Sequence, residues 1–368
     1  MNNLWLLIGP GGIGRGLIAP IAAESHKIIF VTPNQENVRF FKKNPEYKVI
    51  YYSPHNNRKK EKIIRNYDAV SSANLKKLSL ICSSPDLKII STSVRVDNLE
   101  KVAKILSQAL KNRKEKIIIL VCENIENGGD RFKELLEKEV KGITKKIIIP
   151  NISVDCMIPP HKSETLIIER EKFGELVIER PKDKITRYLE KLPNVQLIKG
   201  KIIRHYKKKI IGVSGLHAGI AWMGFDRSHK YVYQAARDPK LRSKINQLIR
   251  EIVIAIFEET KFPKKEILKY LKQARARISN VYLKDPNERF FRNLRKKLNV
   301  NERFLGPALK VWQKGYYPSS LLKIIAIGFK KLVKEEKIKD IKKSVIEICR
   351  LPKSAQGLEK EIFMQIGR

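Results

Sequence analysis

The first half of the chain alternates between short, continuous apolar runs and segments whose apolar residues recur at helical spacing. The helical segments include residues 97–112 and 131–142. Strands that are apolar throughout are typical of a parallel sheet covered by helices on both faces. The pattern therefore predicts a doubly wound, Rossmann-type sheet with strands at 3–9, 27–32, 47–52, 87–93, 116–122 and 145–151.

The pattern changes near residue 190. Just before it, residues 164–181 alternate between apolar and polar positions, which predicts an appended hairpin. We therefore predict an α/β Rossmann-type domain over residues 1–190 and a mainly α-helical domain over residues 191–368. The helices predicted for the second domain cover residues 240–257, 264–276, 302–313 and 319–349.

A glycine-rich stretch, GPGGIGRG, follows the first predicted strand and runs into a helical segment. It contains G-x-G-x-x-G, in which glycines permit a tight turn and let backbone amides approach a pyrophosphate at the helix N-terminus. Its position after a strand and before a helix predicts a dinucleotide site. The predicted cofactor-binding residues are Gly9, Gly11, Gly12, Ile13, Gly14, Arg15, Thr32, Asn34 and Thr92.

The second predicted strand ends on Thr32, where dinucleotide folds usually carry an acidic residue that binds the ribose hydroxyls. Such a carboxylate also repels the 2′-phosphate of NADP. Its absence leaves both NAD and NADP open.

The apolar run 207–224 contains Lys209, Ser214 and His217. It is too short and too polar to span a bilayer, which needs about 20 apolar residues. A buried lysine can act as a base near neutral pH. Ser214 is predicted to cap a helix, with Lys209 on the incoming segment and His217 in the first turn. The alternative is purely structural, with a capping serine and a core histidine.

The net charge of +38 permits binding to nucleic acid, but the lysines are spread along the whole chain. Attraction to phosphorylated small molecules is the interpretation that we favour, with no specific nucleic-acid partner. The four cysteines are widely spaced, so neither a metal site nor a disulfide framework is predicted. No signal peptide or membrane span is indicated, and we expect a cytoplasmic monomer or small homo-oligomer.

Several blocks occur in a fixed order: the glycine-rich stretch, CENIENG at 122–128, VDCMIPP at 154–160, Lys209-x4-Ser214-x2-His217, and residues 280–292. Together they resemble the polyol-specific long-chain dehydrogenases, over roughly residues 1–330. The resemblance implies reversible oxidation of a hexitol phosphate, D-mannitol 1-phosphate, to D-fructose 6-phosphate with NAD. It also implies an active site in the cleft between the two domains, and no metal.

The family signature is Lys-x4-Asn-x2-His, so the resemblance implies that Lys209 is the general base. Asn124 matches an asparagine that donates to the developing alkoxide oxygen, Ser214 stands at the position of the second such donor, and His217 matches a residue that orients substrate or base. The predicted substrate-binding residues are Asp155, Lys284, Arg289 and Arg292, with Lys296 and Arg303 as further candidates for the phosphate.

Three residues depart from the family pattern. Ser214 replaces the asparagine of the signature, Cys156 stands where an arginine is usual, and Thr32 replaces the ribose-binding acid. The alternatives are therefore a dehydrogenase for another polyol or a sugar acid, use of NADP, or a dinucleotide-binding sensor with impaired catalysis.

Overall fold

The computed structural model describes residues 3–54 and 59–367. The chain forms two compact units, Met1–Tyr206 and Lys207–Arg368. The first unit extends beyond residue 190 because residues Val195–Ile198 pair with Glu175–Glu179. The boundary at residue 190 stays a prediction of where the second functional domain begins.

The first unit combines strands with short helices. Its described strands are β1 (Leu4–Ile8), β2 (Lys27–Thr32), β3 (Tyr47–Tyr52), β4 (Lys59–Ile64), β5 (Tyr67–Ser71), β6 (Leu87–Thr92), β7 (Ile117–Val121), β8 (Ile147–Ile148), β9 (Ile152–Asp155), β10 (Ile167–Glu171), β11 (Glu175–Glu179) and β12 (Val195–Ile198). Its described helices are α1 (Ala19–Ala22), α2 (Gln35–Lys43), α3 (Leu75–Ser83), α4 (Leu99–Ala109), α5 (Gly128–Glu139) and α6 (Arg187–Glu190).

Six strands form one parallel sheet in the order β5-β2-β1-β6-β7-β8. This confirms the Rossmann-type prediction. The strand order reverses between β1 and β6, and ligands of open α/β sheets bind in the crevice at the carboxyl ends of such strands.

Successive residues of β1 face opposite sides of the sheet and enter two separate cores. Trp5 and Leu7 belong to one hydrophobic cluster, whereas Leu6 and Ile8 belong to the other. Because both faces are buried, the strand is apolar at every position, which made it recognisable in the sequence.

The predicted strand pairing was wrong for two segments, residues 47–52 and residues 164–181. β3 does not join the parallel sheet but lies between β10 and β4 in a sheet of its own, and β5 takes the edge position beside β2. The predicted hairpin is also absent, because β10 pairs with β3 and β11 pairs with β9 and β12. Alternating polarity reveals a strand with one exposed face, but it does not identify the neighbouring strand.

The second unit is helical, as predicted. Its described helices, including α7 at the junction of the units, are α7 (Ile203–Lys209), α8 (Gly215–Asp226), α9 (Val232–Arg237), α10 (Arg242–Thr260), α11 (Lys264–Ile278), α12 (Leu294–Lys297), α13 (Leu305–Gln313), α14 (Ser319–Glu336), α15 (Ile341–Cys349) and α16 (Gln356–Gly367). The segment predicted as one helix over 319–349 is divided at Lys337, which has a left-handed φ of 50°. No described helix is long and apolar enough to cross a membrane.

Helix α8 is the centre of this unit. Every residue from 215 to 224 is buried, so the helix has no exposed face over that length. Gly224 allows close packing, because a Cβ atom there would lie 2.5 Å from the Cβ of Ala235 in α9. The polar side chains on α8 are therefore held in a fixed, largely dry environment.

Candidate active site

The glycine-rich turn between β1 and the following helix fits a dinucleotide. Gly9 has a φ of +86°, and a Cβ atom there would lie 2.6 Å from the carbonyl oxygen of Ser93. The Ser93 hydroxyl donates to the Gly9 carbonyl at 2.6 Å, which fixes the turn. By contrast, a Cβ atom on Gly11 would meet nothing within 4 Å. The turn therefore leaves open space next to the helix start, where a pyrophosphate binds in this fold.

Arg15 lies one turn further along and is fully buried. Its guanidinium donates to the backbone carbonyls of Thr165, at 2.7 Å, and Lys162, at 3.4 Å. Burial lowers the pKa of Arg15. The side chain thus tethers the 162–165 segment, and a contact with the cofactor stays a prediction.

Thr32, Asn34 and Thr92 all lie at or just beyond the ends of parallel strands. Asn34 caps α2, with its side-chain oxygen accepting from the amide of Glu36 at 2.7 Å. Thr32 and Thr92 are buried. These observations give each residue a place in the fold, and their cofactor roles stay predictions.

At the end of β7, two neighbouring residues have opposite environments. Asn124 is exposed, whereas Glu123 is 7% exposed. The Glu123 carboxylate accepts from the amides of Val94, at 2.7 Å, and Arg95, at 3.0 Å. Burial raises the pKa of Glu123, and these hydrogen bonds oppose the rise. Glu123 thus fixes the loop after β6, a role that the sequence analysis missed.

The Lys209–His217 segment lies inside one continuous helix. Helix α7 continues through a π-helical turn, Ile210–Ser214, directly into α8. Ser214 has φ −71° and ψ −34°, and its side chain makes no capping hydrogen bond, so the prediction of a helix start there was wrong. Gly212, which precedes Ser214, allows close packing, since a Cβ atom there would lie 3.2 Å from Ile256.

The π-helical turn has a consequence for the predicted catalytic residues. Hydrogen bonds in such a turn join residues five apart, and π-bulges are frequent at functional sites. Lys209 and Ser214 have that separation. Lys209 is 7% exposed, and the hydroxyl of half-buried Ser214 has no hydrogen-bond partner among the described residues.

His217 faces a carboxylate. Its Nε2 atom lies 3.5 Å from Oδ2 of Asp285, and its ring lies 4.5 Å from that of Phe290. Burial, reinforced by the charges of Arg289 and Arg277, lowers the pKa of His217 well below its usual value. The imidazole is therefore neutral near pH 7.

Asp285 joins His217 to Arg289. Arg289 donates to Oδ2 of Asp285 at 2.6 Å. Burial raises the pKa of Asp285 to about 6, although Arg289 acts in the opposite direction. Asp285 therefore forms an ion pair with Arg289 and also contacts His217.

Lys297 is a candidate that the sequence analysis missed. Its amine donates to the carbonyl oxygen of Phe290 at 2.5 Å, and burial lowers its pKa to about 7. The positive charges of Arg303, Arg289 and Arg292 contribute to this lowered pKa, and the negative charge of Glu302 opposes it. A half-buried lysine among arginines can bind an anion. Only its place in a run of basic residues could have indicated it.

The remaining substrate candidates differ in their surroundings. Arg303 pairs with Glu302 at 3.2 Å, whereas Lys284, Arg292 and Lys296 are exposed. Asp155 lies in the first unit, buried in β9 opposite Glu175 of β11.

The side-chain oxygen of Asn280 accepts from the amide of Tyr282 at 3.1 Å, a local hydrogen bond typical of a turn residue. Among the described residues, no group of His, Cys, Asp and Glu side chains is arranged to hold a metal ion.

A parallel sheet with a glycine-rich turn at its switch point is characteristic of dinucleotide-binding proteins, which include many dehydrogenases. The model of the mannitol dehydrogenase Rossmann domain matches residues 5–191, and that of the mannitol dehydrogenase C-terminal domain matches residues 201–354. The chain belongs to the mannitol dehydrogenase family.

Similar proteins agree with this assignment. A mannitol-1-phosphate 5-dehydrogenase from Emericella nidulans is 27% identical over 352 residues, covering 92% of this chain and 89% of that protein. A mannitol-1-phosphate 5-dehydrogenase from Caldanaerobacter subterraneus is 27% identical over 394 residues, covering 99% of this chain and 98% of that protein. The fold also resembles that of Pseudomonas fluorescens mannitol 2-dehydrogenase, with a TM-score of 0.77 and 14% identity. The match covers 100% of this chain and 90% of that protein.

The protein is therefore an oxidoreductase that acts on a CH–OH group, and more narrowly a polyol dehydrogenase with a nicotinamide dinucleotide as cofactor.

Proposed function

We propose that the protein interconverts D-mannitol 1-phosphate and D-fructose 6-phosphate, with NAD as the cofactor and Lys209 as the general base. The observation that carries the proposal is the basic cluster next to His217. Arg289 is linked to His217 through Asp285, and Lys297 is held among Arg289, Arg292 and Arg303. Such a cluster suits a substrate with a phosphate group. The similar proteins from Emericella nidulans and Caldanaerobacter subterraneus carry the name of this activity.

The glycine-rich turn would hold the pyrophosphate of the dinucleotide through backbone amides of Gly12 and Ile13. When bound, the dinucleotide supplies the acceptor for the hydride that leaves the alcohol carbon. The residues of the helical unit then handle the proton and the substrate hydroxyl groups.

Lys209 takes the proton of the reacting hydroxyl as the alcohol becomes a carbonyl. A lysine can do this only when its amine is neutral, and burial favours the neutral form. In the reverse direction the protonated amine returns the proton to the oxygen. Ser214, whose hydroxyl is uncommitted, and Asn124, which is exposed at the end of β7, would donate to that oxygen as it gains negative charge.

His217 orients the substrate by accepting a hydrogen bond. A carboxylate only accepts, so ionised Asp285 favours a proton on Nε2 of His217. The neutral ring then keeps Nδ1 as an acceptor for a substrate hydroxyl. Lys297, Arg292 and Arg303 would bind the phosphate, with Arg289 held in place by Asp285.

NADP is the one alternative cofactor that a specific observation favours. The end of β2 carries Thr32 and the capping residue Asn34, and neither has a charge that would repel a 2′-phosphate. Both reduced cofactors therefore belong in the first experiment.

The test is absorbance of reduced nicotinamide with fructose 6-phosphate and either NADH or NADPH. We expect oxidation of NADH that requires the phosphate group and falls by about 10²–10⁴-fold in Lys209→Ala, the range of general acid–base catalysis. Binding of NADH to this variant should be unchanged.

Lys208→Ala is the matched control. This neighbouring lysine pairs with Glu266 at 3.2 Å and packs over Phe262 and Tyr270, so its removal should leave turnover intact. A protein that binds a dinucleotide but reduces fructose 6-phosphate with neither would exclude the proposed substrate.

A further inference from the structure

The loop after β6 contains an arginine in a conformation that normally belongs to glycine. Arg95 has φ +72° and ψ 149°. This lies outside the left-handed helical region and near a region populated essentially by glycine, where other residues are strained. Such strain persists only where the surrounding structure enforces it, and it is commonest at functional sites.

The surrounding structure does enforce it. The Glu123 carboxylate accepts from the amides of both Val94 and Arg95. Asn98 donates its side-chain amide to the Val94 carbonyl at 2.7 Å, and its backbone amide to the Arg95 carbonyl at 3.0 Å. The backbone of this loop is therefore fixed on both sides of Arg95.

The same loop is attached to the glycine-rich turn. The amide of Ser93 donates to the carbonyl of Ile8 at 2.8 Å, and the Ser93 hydroxyl donates to the carbonyl of Gly9 at 2.6 Å. A side chain on Gly9 would collide with Ser93 and Val94. Arg95 is thus carried at the carboxyl end of β6, beside the turn that follows β1.

The Arg95 side chain is itself uncommitted. It is exposed, and its guanidinium has no hydrogen bond or ion pair with any residue in 3–54 or 59–367. A rigid, strained backbone that presents a free guanidinium at the switch point of the sheet suits recognition of an anion, because arginine binds phosphate oxygens with two parallel hydrogen bonds.

We propose that Arg95 binds the pyrophosphate of the nicotinamide dinucleotide, opposite the helix start at Gly12, and that Glu123 is the residue that positions it. This inference rests on the proposed dinucleotide site. It assigns the pyrophosphate and not the 2′-phosphate, because Arg95 follows β6, on the opposite side of β1 from β2, whose end approaches the adenosine ribose in this fold.

Arg95→Gly separates the two effects of the arginine. Glycine suits the observed φ, so the variant should melt at the same temperature as the wild type or higher. Loss of a charge-assisted contact should nevertheless weaken binding of NADH by about ten- to hundredfold in calorimetry. The same factor is expected for NADPH and for ADP-ribose, since all three contain the pyrophosphate.

Three further variants distinguish charge from backbone freedom. Arg95→Lys keeps the charge but not the two parallel hydrogen bonds, so it should retain part of the affinity, whereas neutral Arg95→Asn should bind NADH as weakly as Arg95→Gly. Lys111→Gly removes one positive charge from the exposed loop before β7, at the opposite end of the sheet, and should have little effect on NADH binding.

Unchanged affinity in Arg95→Gly would overturn the proposal, and a loss confined to NADPH would overturn the assignment to the pyrophosphate. The outcome is independent of the proposed substrate. A wild-type protein that binds NADH through Arg95 but does not reduce fructose 6-phosphate would leave this inference intact and remove the substrate proposal. A wild-type protein that binds neither dinucleotide would rule out both the role of Arg95 and the proposed reaction.

Discussion

The glycine-rich turn of the first unit and the polar cluster around α8 in the second unit present their binding groups in different ways. In the turn, the groups are backbone amides, and the shape depends on the absence of side chains at Gly9 and Gly14. In the cluster, the groups are side chains whose charge states depend on one another, as with His217, Asp285 and Arg289. The turn is sensitive to added volume, whereas the cluster is sensitive to lost charge.

The largest effect is expected from added volume in the turn. Gly9→Ala places a Cβ atom 2.6 Å from the Ser93 carbonyl at a φ of +86°. Backbone strain and overpacking together should lower the free energy of unfolding by about 2–5 kcal/mol. Denaturant titration measures the change, and binding of NADH should be lost in the same variant.

Gly11→Ala is the matched control, because a Cβ atom there would meet nothing within 4 Å of the free protein. Its free energy of unfolding should match the wild type. Equal destabilisation by both alanines would show that the turn is not held by the contact with Ser93.

The second-largest effect is expected from a change of charge in the polar cluster around α8. Asp285→Asn keeps the shape of the side chain but removes the partner of Arg289 and weakens the orientation of His217. We expect kcat/KM for reduction of fructose 6-phosphate to fall by about 100-fold, the cost of breaking a buried charged contact at neutral pH.

The pH profile of reduction tests the same residue. The carboxyl of Asp285 has a pKa of about 6, so it takes up a proton as the pH falls below 6 and loses its charge. Wild-type kcat/KM should therefore decline below pH 6, and Asp285→Asn should lack this decline. Reduction is the direction to measure, because protonated Lys209 is then the acid and a lower pH does not impair it.

A smaller effect is expected at Ser214. A complete donor to an alkoxide contributes about 10²–10³ in rate, and a serine hydroxyl has a shorter reach than the asparagine of the family signature. We expect Ser214→Ala to lower kcat by about 20-fold without changing the melting temperature. Ser214→Asn should restore the rate, and a fully active Ser214→Ala would exclude the hydroxyl as a donor.

The smallest effect is expected at Lys297. Its pKa of about 7 means that it carries a charge below neutrality and loses it above. Affinity for fructose 6-phosphate, measured by calorimetry with NAD present, should therefore weaken as the pH rises through 7. Lys297→Met should be about tenfold weaker at pH 6 and show less dependence on pH.

The exposed neighbour Lys296 provides the comparison for Lys297. Lys296→Met makes the same change of charge outside the buried part of the cluster. Equal effects from both substitutions would mean that the cluster attracts the substrate only through its net charge.

The difference between the two regions also explains what the sequence could predict. The glycine-rich turn could be predicted because its glycines lie close together in the sequence, between β1 and a helix. The local sequence was therefore enough to predict the structure of the turn. The shifted pKa values of Asp285 and Lys297 result from burial in the folded structure, and a local sequence pattern does not reveal that burial.

The wrong predictions have the same origin. Ser214 was assigned to a helix start because serine is favoured at helix ends, but the helix runs through Gly212 and Ser214, and Gly212 packs closely against Ile256 of α10. β3 was placed in the main sheet because its apolar run gives a strand and says nothing about its neighbours.

The pairing of β3 with β10 has a consequence for synthesis on the ribosome. The two strands are far apart in sequence. During synthesis, β3 can therefore pair with β4 before β10 has left the ribosome, and the two form a two-stranded ribbon. An isolated ribbon exposes an edge to other chains. β4, with the sequence KKEKII, carries three lysines and a glutamate and stays at the edge of this sheet after β10 has paired with β3, so its charges oppose pairing with other chains both during synthesis and in the folded protein.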